Sequence, residues 1–536
     1  MKSMSGVEFP SLAGLPMFGT HDAVRRGAAP TMLMHHLLYR AAERAPDAVA
    51  LNWVDRNRAL TAAEAVEGME RMAGALAHLG IAPGDRVLIF AHNGMDYLLA
   101  MLGTWRLGAI SALVNVKYAD DLAYYVDDHR PKAIIYTHDM EGPVKAAAST
   151  VGCVSHLICM DGPQEGAHSL PELMAACFTP PTDPEDATAI AHLSYTSGTT
   201  GKPKGACLAH EPTVTAARCI GERLRIRASD RSFGPTALSS SYQLVANLLP
   251  PMAAGATVNV MGKWTQATGW EALERTGATV FVGNPVVLTE LLEESQARGR
   301  LPSPLRFGLS GGGPVPPTLR KAFRDVLQLP LVESFGQSEI GGFFALGFPE
   351  LETDDSKLVR VGPGTPDKEV AILTTTGTRA PIGTVGEICL RGGFMAGYWG
   401  RPEKTAEATR GGWLHSGDLG SIDADGYVTM RGRLAELVTV NGTDWFPRDV
   451  EEALATQPGV LLAALVGVPN PKGGSTPIAF ITERQGKTVD VAALKEAIAP
   501  LVSYDVAPLI IRKATSLPMT PTGKIAKATL AAEAAA

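Results

Sequence analysis

Residues 195–205 combine the side chains that a polyphosphate needs, in the order Tyr-Thr-Ser-Gly-Thr-Thr-Gly-Lys-Pro-Lys-Gly. Glycines let the backbone bend and bring its N–H groups close to an anion. The hydroxyl groups can donate hydrogen bonds to phosphate oxygens, and the lysines supply positive charge. The apolar run from Ala189 to Leu193 predicts a strand that leads into this loop. The segment is therefore predicted to cradle a triphosphate, and an ordinary surface loop is the alternative.

This loop is not the Walker phosphate loop, because Gly198 and Gly201 lie too close together and no Ser or Thr follows Lys202. It resembles the phosphate loop of the adenylate-forming superfamily, which includes acyl-CoA synthetases, adenylation domains of nonribosomal peptide synthetases and luciferases. The resemblance implies ATP binding by Thr196, Ser197, Gly198, Thr199, Thr200 and Lys204. It also implies a catalytic role for Thr196.

A second motif at residues 333–339 reads Glu-Ser-Phe-Gly-Gln-Ser-Glu and follows the apolar run from Leu329 to Val332. It resembles the superfamily's aromatic-Gly-x-Thr-Glu motif, in which the glutamate helps to hold Mg²⁺ and serves catalysis. The resemblance implies that Glu339 is the metal ligand and that four residues bind the nucleotide: Ser334, Phe335, Gly336 and Ser338. One carboxylate is sufficient here, because Mg²⁺ favours one or two carboxylates together with phosphate oxygens. A capped turn with an exposed glutamate is the alternative.

Three glycines, at positions 311, 312 and 313, follow a predicted strand and precede a predicted helix near Pro317. Glycine at such a junction lets a flat ring lie against bare backbone. The resemblance implies that Gly311, Gly312 and Gly313 form the wall of the adenine pocket. Residues 308–312 also match the G-x-S-x-G nucleophile elbow of α/β-hydrolases. That alternative requires an acid and then a histidine further along the chain, and the only histidine after Ser310 is His415.

The segment Trp413-Leu414-His415-Ser416-Gly417-Asp418 matches the superfamily's Trp-x-x-Thr-Gly-Asp pattern. The resemblance implies that Asp418 accepts hydrogen bonds from both ribose hydroxyls, a role that suits a carboxylate because it only accepts. Arg433 follows in the place of an arginine that also contacts ribose or phosphate. A hairpin with an ordinary turn aspartate is the alternative.

Two motifs near the C-terminus resemble the moving part of the superfamily's active site. Residues 518–524 match Pro-x-Thr-x-x-Gly-Lys, so the resemblance implies that Lys524 is catalytic and contacts the carboxylate and the α-phosphate, where charge develops. By residue type alone, Lys524 would be a solvated surface lysine. Gly442, together with Pro447 and Glu451, resembles the run that lines the pantetheine channel, and it is the only sequence indication of coenzyme A.

The pocket for the acid is predicted to be lined by Ser240, Ser241, Tyr242, Val282, Gly283 and Ile340. Ser240 stands where the superfamily usually has a histidine, so we expect the acid to approach differently here. An amino acid is not expected, because the segment 236–247 has no aspartate to pair with an α-ammonium group. A second departure is Ala435, which occupies a hinge position where Asp or Lys is usual. The thioester-forming step is therefore predicted less firmly than the adenylation step.

Composition excludes several other classes of protein. The net charge of −7 and the lack of a long basic run argue against a nucleic-acid partner. The six cysteines form no CxxC pair, which argues against a disulfide framework or a zinc site. No uncharged apolar run approaches the length of a membrane span, and no signal peptide is apparent. We therefore expect a cytoplasmic enzyme, with a homodimer as an allowed assembly.

At 536 residues, the chain should form two or more domains. Strand–helix alternation over 84–137 predicts a helix over 96–107 and strands over 110–116 and 133–136. The alternation returns near 256–296 and 305–333, so parallel sheets covered by helices are expected. Residues 369–432 have shorter strands and many glycines, which predict a small antiparallel or barrel-like β region. We expect an α/β fold with a large N-terminal adenylation domain, residues 1–432, and a small mobile α+β C-terminal lid, residues 433–536.

The motifs keep the superfamily's order along nearly the whole chain. The resemblance implies an AMP-forming carboxylic acid–CoA ligase that uses ATP, Mg²⁺ and coenzyme A to activate an aryl, cyclic or aliphatic acid. One alternative is a free-standing acyl-AMP ligase that delivers its product to a carrier protein. Another is a non-catalytic nucleotide-binding relative, which Lys204, Glu339, Asp418 and Lys524 argue against.

Overall fold

The computed structural model describes residues 32–196, 202–313, 315–470, 473–519 and 525–535. Its α-helices are α1 His36–Arg44, α2 Ala62–His78, α3 Met95–Arg106, α4 Leu122–His129, α5 Glu141–Val151, α6 Leu170–Ala175, α7 His210–Arg223, α8 Ser241–Gln243, α9 Leu249–Ala254, α10 Gln266–Thr276, α11 Pro285–Arg298, α12 Pro317–Leu327, α13 Pro402–Ala408, α14 Pro447–Ala455, α15 Val491–Ile498 and α16 Lys527–Ala535. A π-helix, Leu244–Leu248, lies between α8 and α9.

The strands fall into an N-terminal, a middle and a C-terminal group. The N-terminal strands are β1 Val49–Trp53, β2 Arg58–Thr61, β3 Arg86–Phe90, β4 Ile110–Leu113, β5 Ala133–Tyr136, β6 His156–Cys159, β7 His168–Ser169, β8 Ile190–Tyr195, β9 Gly205–Ala209, β10 Arg231–Gly234, β11 Thr257–Val260, β12 Val280–Gly283, β13 Phe307–Ser310, β14 Leu331–Phe335 and β15 Ala345–Leu346. The middle strands are β16 Gly362–Pro363, β17 Glu369–Leu373, β18 Gly386–Arg391, β19 Gly397–Tyr398, β20 Leu414–Ile422 and β21 Tyr427–Arg433. The C-terminal strands are β22 Val438–Val440, β23 Thr443–Trp445, β24 Val460–Pro469, β25 Ser475–Glu483 and β26 Ile510–Lys513.

Two eight-stranded sheets form the bulk of the chain. Their strand orders are β19-β9-β8-β4-β3-β5-β6-β7 and β15-β14-β13-β12-β10-β11-β1-β2. Most neighbours in both sheets are parallel, and helices connect them, as the strand–helix alternation predicted. The largest apolar cluster contains strand residues of both sheets, such as Ile89 and Val258, together with α3. Helix α3 is buried along almost its whole length because it lies within this shared core.

A five-stranded antiparallel sheet, in the order β16-β21-β20-β18-β17, follows in the region 362–433. This confirms the predicted small antiparallel region. The C-terminal part has its own apolar core, in which α14 and α15 pack on the sheet β24-β25-β26 beside the hairpin β22-β23. The predicted α+β pattern of this part is confirmed, while its boundary at residue 433 stays a prediction.

Within the part of the chain that the structure describes, no helix is both long and apolar enough to cross a membrane. All six cysteines are free, and four of them are buried. Burial raises the pKa of the Cys207 thiol to about 11 and that of the Cys389 thiol to about 12, so these two groups stay protonated at neutral pH.

Candidate active site

The predicted phosphate loop connects two antiparallel strands, β8 and β9. Tyr195 lies opposite Gly205 at the end of this ladder. The backbone N–H of Thr196 donates to the carbonyl oxygen of Lys204 at 3.0 Å, and the N–H of Lys204 donates to Thr196 Oγ1 at 3.2 Å. These two bonds close the base of the loop and fix the directions of its first and last residues. Ser197, Gly198, Thr199 and Thr200 lie outside the described residues.

Tyr398 joins the phosphate loop to the predicted metal ligand. Its strand β19 pairs antiparallel with β9, which places Tyr398 opposite Ala206 and therefore close to Lys204. The Lys204 ammonium lies 4.6 Å from the centre of the Tyr398 ring, and the Tyr398 hydroxyl donates to Glu339 Oε1 at 2.8 Å. Burial and the neighbouring Glu339 carboxylate raise the pKa of Tyr398, so the phenol stays a donor at neutral pH.

Glu339 is thereby held beside the loop in a position that suits a cation. The backbone carbonyl oxygen of Glu339 also accepts from Met395 N at 2.7 Å, which fixes the short 3-10 turn Ser338–Ile340 against the segment that precedes β19. One carboxylate oxygen accepts from Tyr398, and no hydrogen bond reaches the second oxygen from the described residues. A half-buried carboxylate next to the predicted phosphate site fits the ligand preference of Mg²⁺.

The other residues of this motif connect three parts of the site. Ser334 Oγ donates to the carbonyl oxygen of Ser310 at 2.9 Å, which links β14 to β13. Ser338 Oγ lies 3.4 Å from the carbonyl oxygen of Tyr195, and Phe335 packs with Phe344 at a ring-centre distance of 4.9 Å. Gly336 is required by packing, since a Cβ there would collide with the carbonyl oxygen of Gly342.

The three glycines after β13 form an open shelf. Gly312 has a φ of +77°, and a Cβ at Gly312 or Gly313 would meet no atom of the described residues within 4 Å. Gly311 is different, because a Cβ there would lie 2.5 Å from the Tyr242 ring and 2.7 Å from Ser334 Oγ. The shelf is therefore bare backbone at Gly312 and Gly313, whereas the Tyr242 ring packs against it at Gly311.

The hydrolase alternative does not fit this geometry. Ser310 is fully buried at the end of β13, whereas a nucleophile elbow must expose its serine. His415 lies on β20, where its Nδ1 is 2.7 Å from Glu387 Oε2 and 3.4 Å from Cys389 Sγ. The histidine is therefore engaged within the five-stranded sheet.

Asp418 is nearly fully buried, and Arg433 and Gln337 are among the described residues that contact its carboxylate. Arg433 lies opposite Asp418 in the β20–β21 ladder, with Nε 3.4 Å from Oδ1. Gln337 donates to the other oxygen, Oδ2, and also to the carbonyl oxygen of Ser416 at 2.8 Å. These contacts bring the predicted ribose aspartate next to the motif that carries Glu339.

The predicted acid-pocket residues are only partly brought together. Ser240 caps α8 by accepting from Tyr242 N at 3.3 Å, and Ser241 Oγ lies 3.3 Å from Ser338 Oγ. The Tyr242 hydroxyl donates to Leu309 O at 2.9 Å and lies 3.5 Å from Gly283 O, at the ends of β13 and β12. Val282 shares the main apolar cluster with Tyr242. Ile340 instead packs in the cluster of the five-stranded sheet.

The C-terminal part contacts the rest of the chain at the strand that carries the second motif. Arg448, in α14, has Nη2 3.5 Å from Glu333 Oε1 and Nε 2.5 Å from Glu452 Oε1. Arg431 pairs with Asp449 at 2.7 Å. Gly442 lies in the exposed turn between β22 and β23 with a φ of +79°, and Lys524 lies outside the described residues.

A further ion-pair network holds the last helix to the segment that follows Arg433. Lys527 Nζ lies 2.8 Å from Glu436 Oε2 and 2.7 Å from Glu451 Oε1. Burial lowers the pKa of Lys527, but the charges of Glu451 and Glu436 outweigh burial, so the net direction is upward. Lys527 is therefore a charged link between α16, α14 and the 3-10 turn Leu434–Glu436.

Sequence reasoning missed Tyr398, Gln337 and Arg448. Tyr398 could have been found from the Gly-Tyr-Trp-Gly run at 397–400, because an aromatic pair between glycines indicates a short strand. Gln337 lies inside a recognised motif at its variable position. Arg448 carries no local signal, because its partner Glu333 is 115 residues away.

Comparison with known proteins agrees with this geometry. The model of the AMP-binding enzyme family matches residues 38–399, and that of the AMP-binding enzyme C-terminal domain matches residues 449–524. The chain belongs to the AMP-binding enzyme family. The first match spans more than half of the chain, so membership does not depend on a single motif. The predicted resemblance to the adenylate-forming superfamily is thus confirmed.

Curated relatives of this family align over most of their length. A sulfoacetate–CoA ligase of Cupriavidus necator is 31% identical over 487 residues, which covers 90% of this chain and 94% of the relative. A feruloyl-CoA synthase of an Amycolatopsis species is 29% identical over 491 residues, covering 91% and 96%. Both relatives are enzymes that carry CoA ligase or synthase names.

Among solved structures, the anthranilate CoA ligase AuaEII, in complex with anthranoyl-AMP, superposes with a TM-score of 0.87. The two chains are 24% identical, and the match covers 95% of this chain and 98% of the other. This likeness confirms the predicted fold class, with its helix-covered parallel sheets and separate C-terminal part.

Proposed function

We propose that this chain is an AMP-forming carboxylic acid–CoA ligase. The observation that carries the proposal is the chain of contacts from Lys204 through Tyr398 to Glu339, beside the Asp418–Arg433 pair. Tyr398 thus links a cation to a carboxylate that suits Mg²⁺, and Gln337 links the same motif to the carboxylate that suits ribose. Family membership and CoA ligase relatives that align over more than nine-tenths of their length support the same activity.

In the first half-reaction, a carboxylate oxygen of the acid attacks the α-phosphorus of ATP. The bond from this phosphorus to the bridging oxygen breaks, and pyrophosphate leaves with that electron pair, giving acyl-AMP. Lys204 and the hydroxyls at 196–200 hold the β- and γ-phosphates, Asp418 binds the ribose hydroxyls and Lys524 neutralises charge at the α-phosphate. The protein acts mainly by positioning the reactants and neutralising charge.

Within this proposal, Glu339 is the protein ligand that would hold Mg²⁺. A bound Mg²⁺ would neutralise charge on the phosphate oxygens. The role of the protein is to hold Glu339 in place: the Tyr398 hydroxyl donates to its carboxylate, and the Met395 N–H donates to its backbone carbonyl oxygen.

In the second half-reaction, the thiolate of coenzyme A attacks the acyl carbonyl carbon, and AMP leaves with its carboxyl-linked oxygen. We propose that residues 433–536 turn as a lid between the two steps, which withdraws Lys524 and brings Gly442 toward the pantetheine. Such an exchange is a conformational step that can limit turnover.

The test is pyrophosphate release from Mg·ATP over a panel of carboxylic acids, each with and without coenzyme A. The diagnostic variant is Lys204→Met, and the matched control is Lys321→Met, whose ammonium pairs with Asp355 at the exposed surface of α12. We expect CoA-dependent AMP formation with at least one acid, a loss of about a hundredfold or more in Lys204→Met and much less in the control. A lack of pyrophosphate release with every acid of the panel, or an equal loss of activity in both variants, would contradict the proposal.

The acyl-AMP ligase remains the second candidate, because Ala435 removes the usual charge at the hinge and is exposed. In that case pyrophosphate would be released at a rate that coenzyme A does not change, and acyl-AMP would accumulate. Quantifying acyl-AMP and acyl-CoA in the same reactions separates the two candidates.

A further inference from the structure

Tyr242, in helix α8, lies between the glycine shelf and the ends of β12 and β13. Its ring fills the position that a side chain at Gly311 would need, since a Cβ at Gly311 would approach the ring to 2.5 Å. Its hydroxyl reaches the carboxyl ends of two neighbouring strands, Leu309 of β13 at 2.9 Å and Gly283 of β12 at 3.5 Å. The ring therefore closes the gap between these strands and the helix.

Several contacts hold Tyr242 in this place. The side chain is buried, and burial raises the pKa of its phenol, so the hydroxyl remains a donor. Phe343 packs against the ring at a centre distance of 6.1 Å. Rotating the ring away would leave a buried hydroxyl without its acceptor, which is costly in an apolar environment.

The helix that carries Tyr242 is itself fixed. Its π-helical continuation, Leu244–Leu248, is fully buried, and Pro250 and Pro251 follow it without backbone N–H groups. Gln243 donates to Gly234 O at 3.0 Å, and Asn247 donates to Asn259 O at 3.1 Å. Buried polar bonds just before and within the π-helix thus set the position of Tyr242, and π-helical turns are frequent at functional sites.

The side chains predicted to line the acid pocket are neutral. Ser240 and Ser241 offer hydroxyl groups, Tyr242 has its own hydroxyl bonded to a backbone carbonyl oxygen and Val282 is apolar. A second anionic group on the acid would lose its hydration there without gaining a cationic partner from these side chains. This differs from what a sulfoacetate substrate would require, although a sulfoacetate–CoA ligase is a relative of this chain.

We propose that Tyr242 is the specificity-determining residue that closes the inner end of the acid pocket. The ligase then takes a compact acid with a single carboxylate, such as a one-ring aromatic acid or a short aliphatic acid. It rejects longer fatty acids, whose tails would have to displace the tyrosine, and it rejects dianionic acids. This inference rests on the proposed ligase function.

The test compares kcat/KM for benzoate, butyrate, octanoate, dodecanoate and sulfoacetate in the original protein, Tyr242→Ala and Tyr242→Phe. We expect the original protein to prefer benzoate or butyrate over octanoate and dodecanoate by at least about tenfold, because each methylene that a pocket cannot accommodate costs roughly tenfold or more. Tyr242→Ala should raise the octanoate-to-butyrate ratio by at least about tenfold, and Tyr242→Phe should keep the original ratio, since the ring remains.

The outcomes separate this inference from the ligase proposal. CoA-dependent AMP formation with any acid keeps the ligase proposal, and the chain-length profile then decides the role of Tyr242. Efficient use of dodecanoate or sulfoacetate by the original protein would overturn the inference, as would an unchanged profile in a Tyr242→Ala protein with an intact circular dichroism spectrum. Inactivity of the original protein with both benzoate and butyrate would overturn this inference, whereas the ligase proposal fails only if the wider panel of acids gives no activity either.

Discussion

Arg448 of the C-terminal part and Glu333 of β14 form a buried ion pair, with Nη2 3.5 Å from Oε1. Glu333 directly precedes Ser334 and Phe335, so the pair ties α14 to the strand that carries the predicted nucleotide residues. Arg320 lies 3.5 Å from the other oxygen of Glu333. The carboxylate is thus shared between a fixed arginine of α12 and an arginine that belongs to the C-terminal part.

Replacing Arg448 with Met should slow acid adenylation more than thioester formation. The change removes a contact that holds the C-terminal part against β14, and it leaves Glu333 partly uncompensated in a buried site, where broken pairs cost about 3–5 kcal/mol. We expect single-turnover pyrophosphate release to slow by at least about tenfold. Conversion of supplied acyl-AMP and coenzyme A should change less. Arg512→Met, on the exposed face of β26, is the matched control, and equal slowing of both half-reactions would contradict this role.

Replacing Tyr398 with Phe should raise the Mg²⁺ concentration needed for half-maximal rate. The variant keeps the ring beside Lys204 but removes the hydroxyl that holds Glu339. A loss of about 1–3 kcal/mol, which is typical for a hydrogen bond to a charged group, corresponds to roughly 5- to 150-fold. The measurement is pyrophosphate release as a function of Mg²⁺ at fixed ATP. Tyr427→Phe, at the far end of β21, should leave the Mg²⁺ dependence unchanged.

Replacing Asp418 with Asn should weaken ATP binding and remove discrimination at the ribose. Asn keeps the shape but replaces one acceptor oxygen by a donor and removes the charge opposite Arg433. We expect the KM for ATP to rise about tenfold or more, while 2′-deoxy- and 3′-deoxy-ATP become nearly as effective as ATP. Asp425→Asn, in the exposed turn between β20 and β21, is the control. A variant that still discriminates against the deoxy nucleotides would contradict the ribose role.

Stability should fall as the pH falls below 6.5. Burial is the largest cause that lowers the pKa of His192 to about 4, and it likewise lowers the pKa of His129 and of His210 to about 3. Between these values and the unfolded value of about 6.5, the unfolded chain binds more protons than the folded chain, so the free energy of unfolding rises with pH. The stabilisation is complete above about pH 6.5 and is lost progressively on acidification, by up to about 1.4 kcal/mol per pH unit for each histidine.

Urea unfolding at pH 7.5, 6.5 and 5.5 measures this slope. His192→Gln should reduce the slope by the share of one histidine, because the variant removes the titrating group that lies 2.9 Å from Ser111 Oγ. His138→Gln, on an exposed 3-10 turn, should leave the slope unchanged. A free energy of unfolding that does not change between pH 7.5 and 5.5 would contradict the prediction.

Much of the fold could be predicted from the sequence, because the spacing of apolar residues indicates helices and strands within short segments. The predicted strand Ala133–Tyr136 has the observed bounds, and the helix predicted over 96–107 is observed as Met95–Arg106. The strand predicted over 110–116 ends earlier, at Leu113, because the Asn115 side chain caps a 3-10 turn. In the C-terminal part, the sequence pattern predicts a helix that starts after Pro447, and α14 begins one residue earlier, at Pro447 itself.

The contacts between distant segments could not be predicted in this way. Tyr398 reaches Glu339 only because β19 adds to the edge of β9, and a two-residue strand has no periodicity to read. Gln337 follows β14, and Asp418 lies in β20. The two residues make contact because the separate sheets that contain these strands pack together. Motifs gave the residue types of the candidate site, whereas the partners that hold these residues depend on tertiary packing.

The ion pairs on either side of residue 435 restrict the rotation of the proposed lid to a very short stretch of backbone. Arg433 is paired with Asp418 on one side, and Glu436 is linked through Lys527 to α16 and α14 on the other. If both links persist during rotation, the torsion must be taken up by Leu434 and Ala435, which are both exposed. The missing hinge charge at Ala435 is then of little mechanical consequence, because a small side chain in solvent leaves these backbone torsions free to turn.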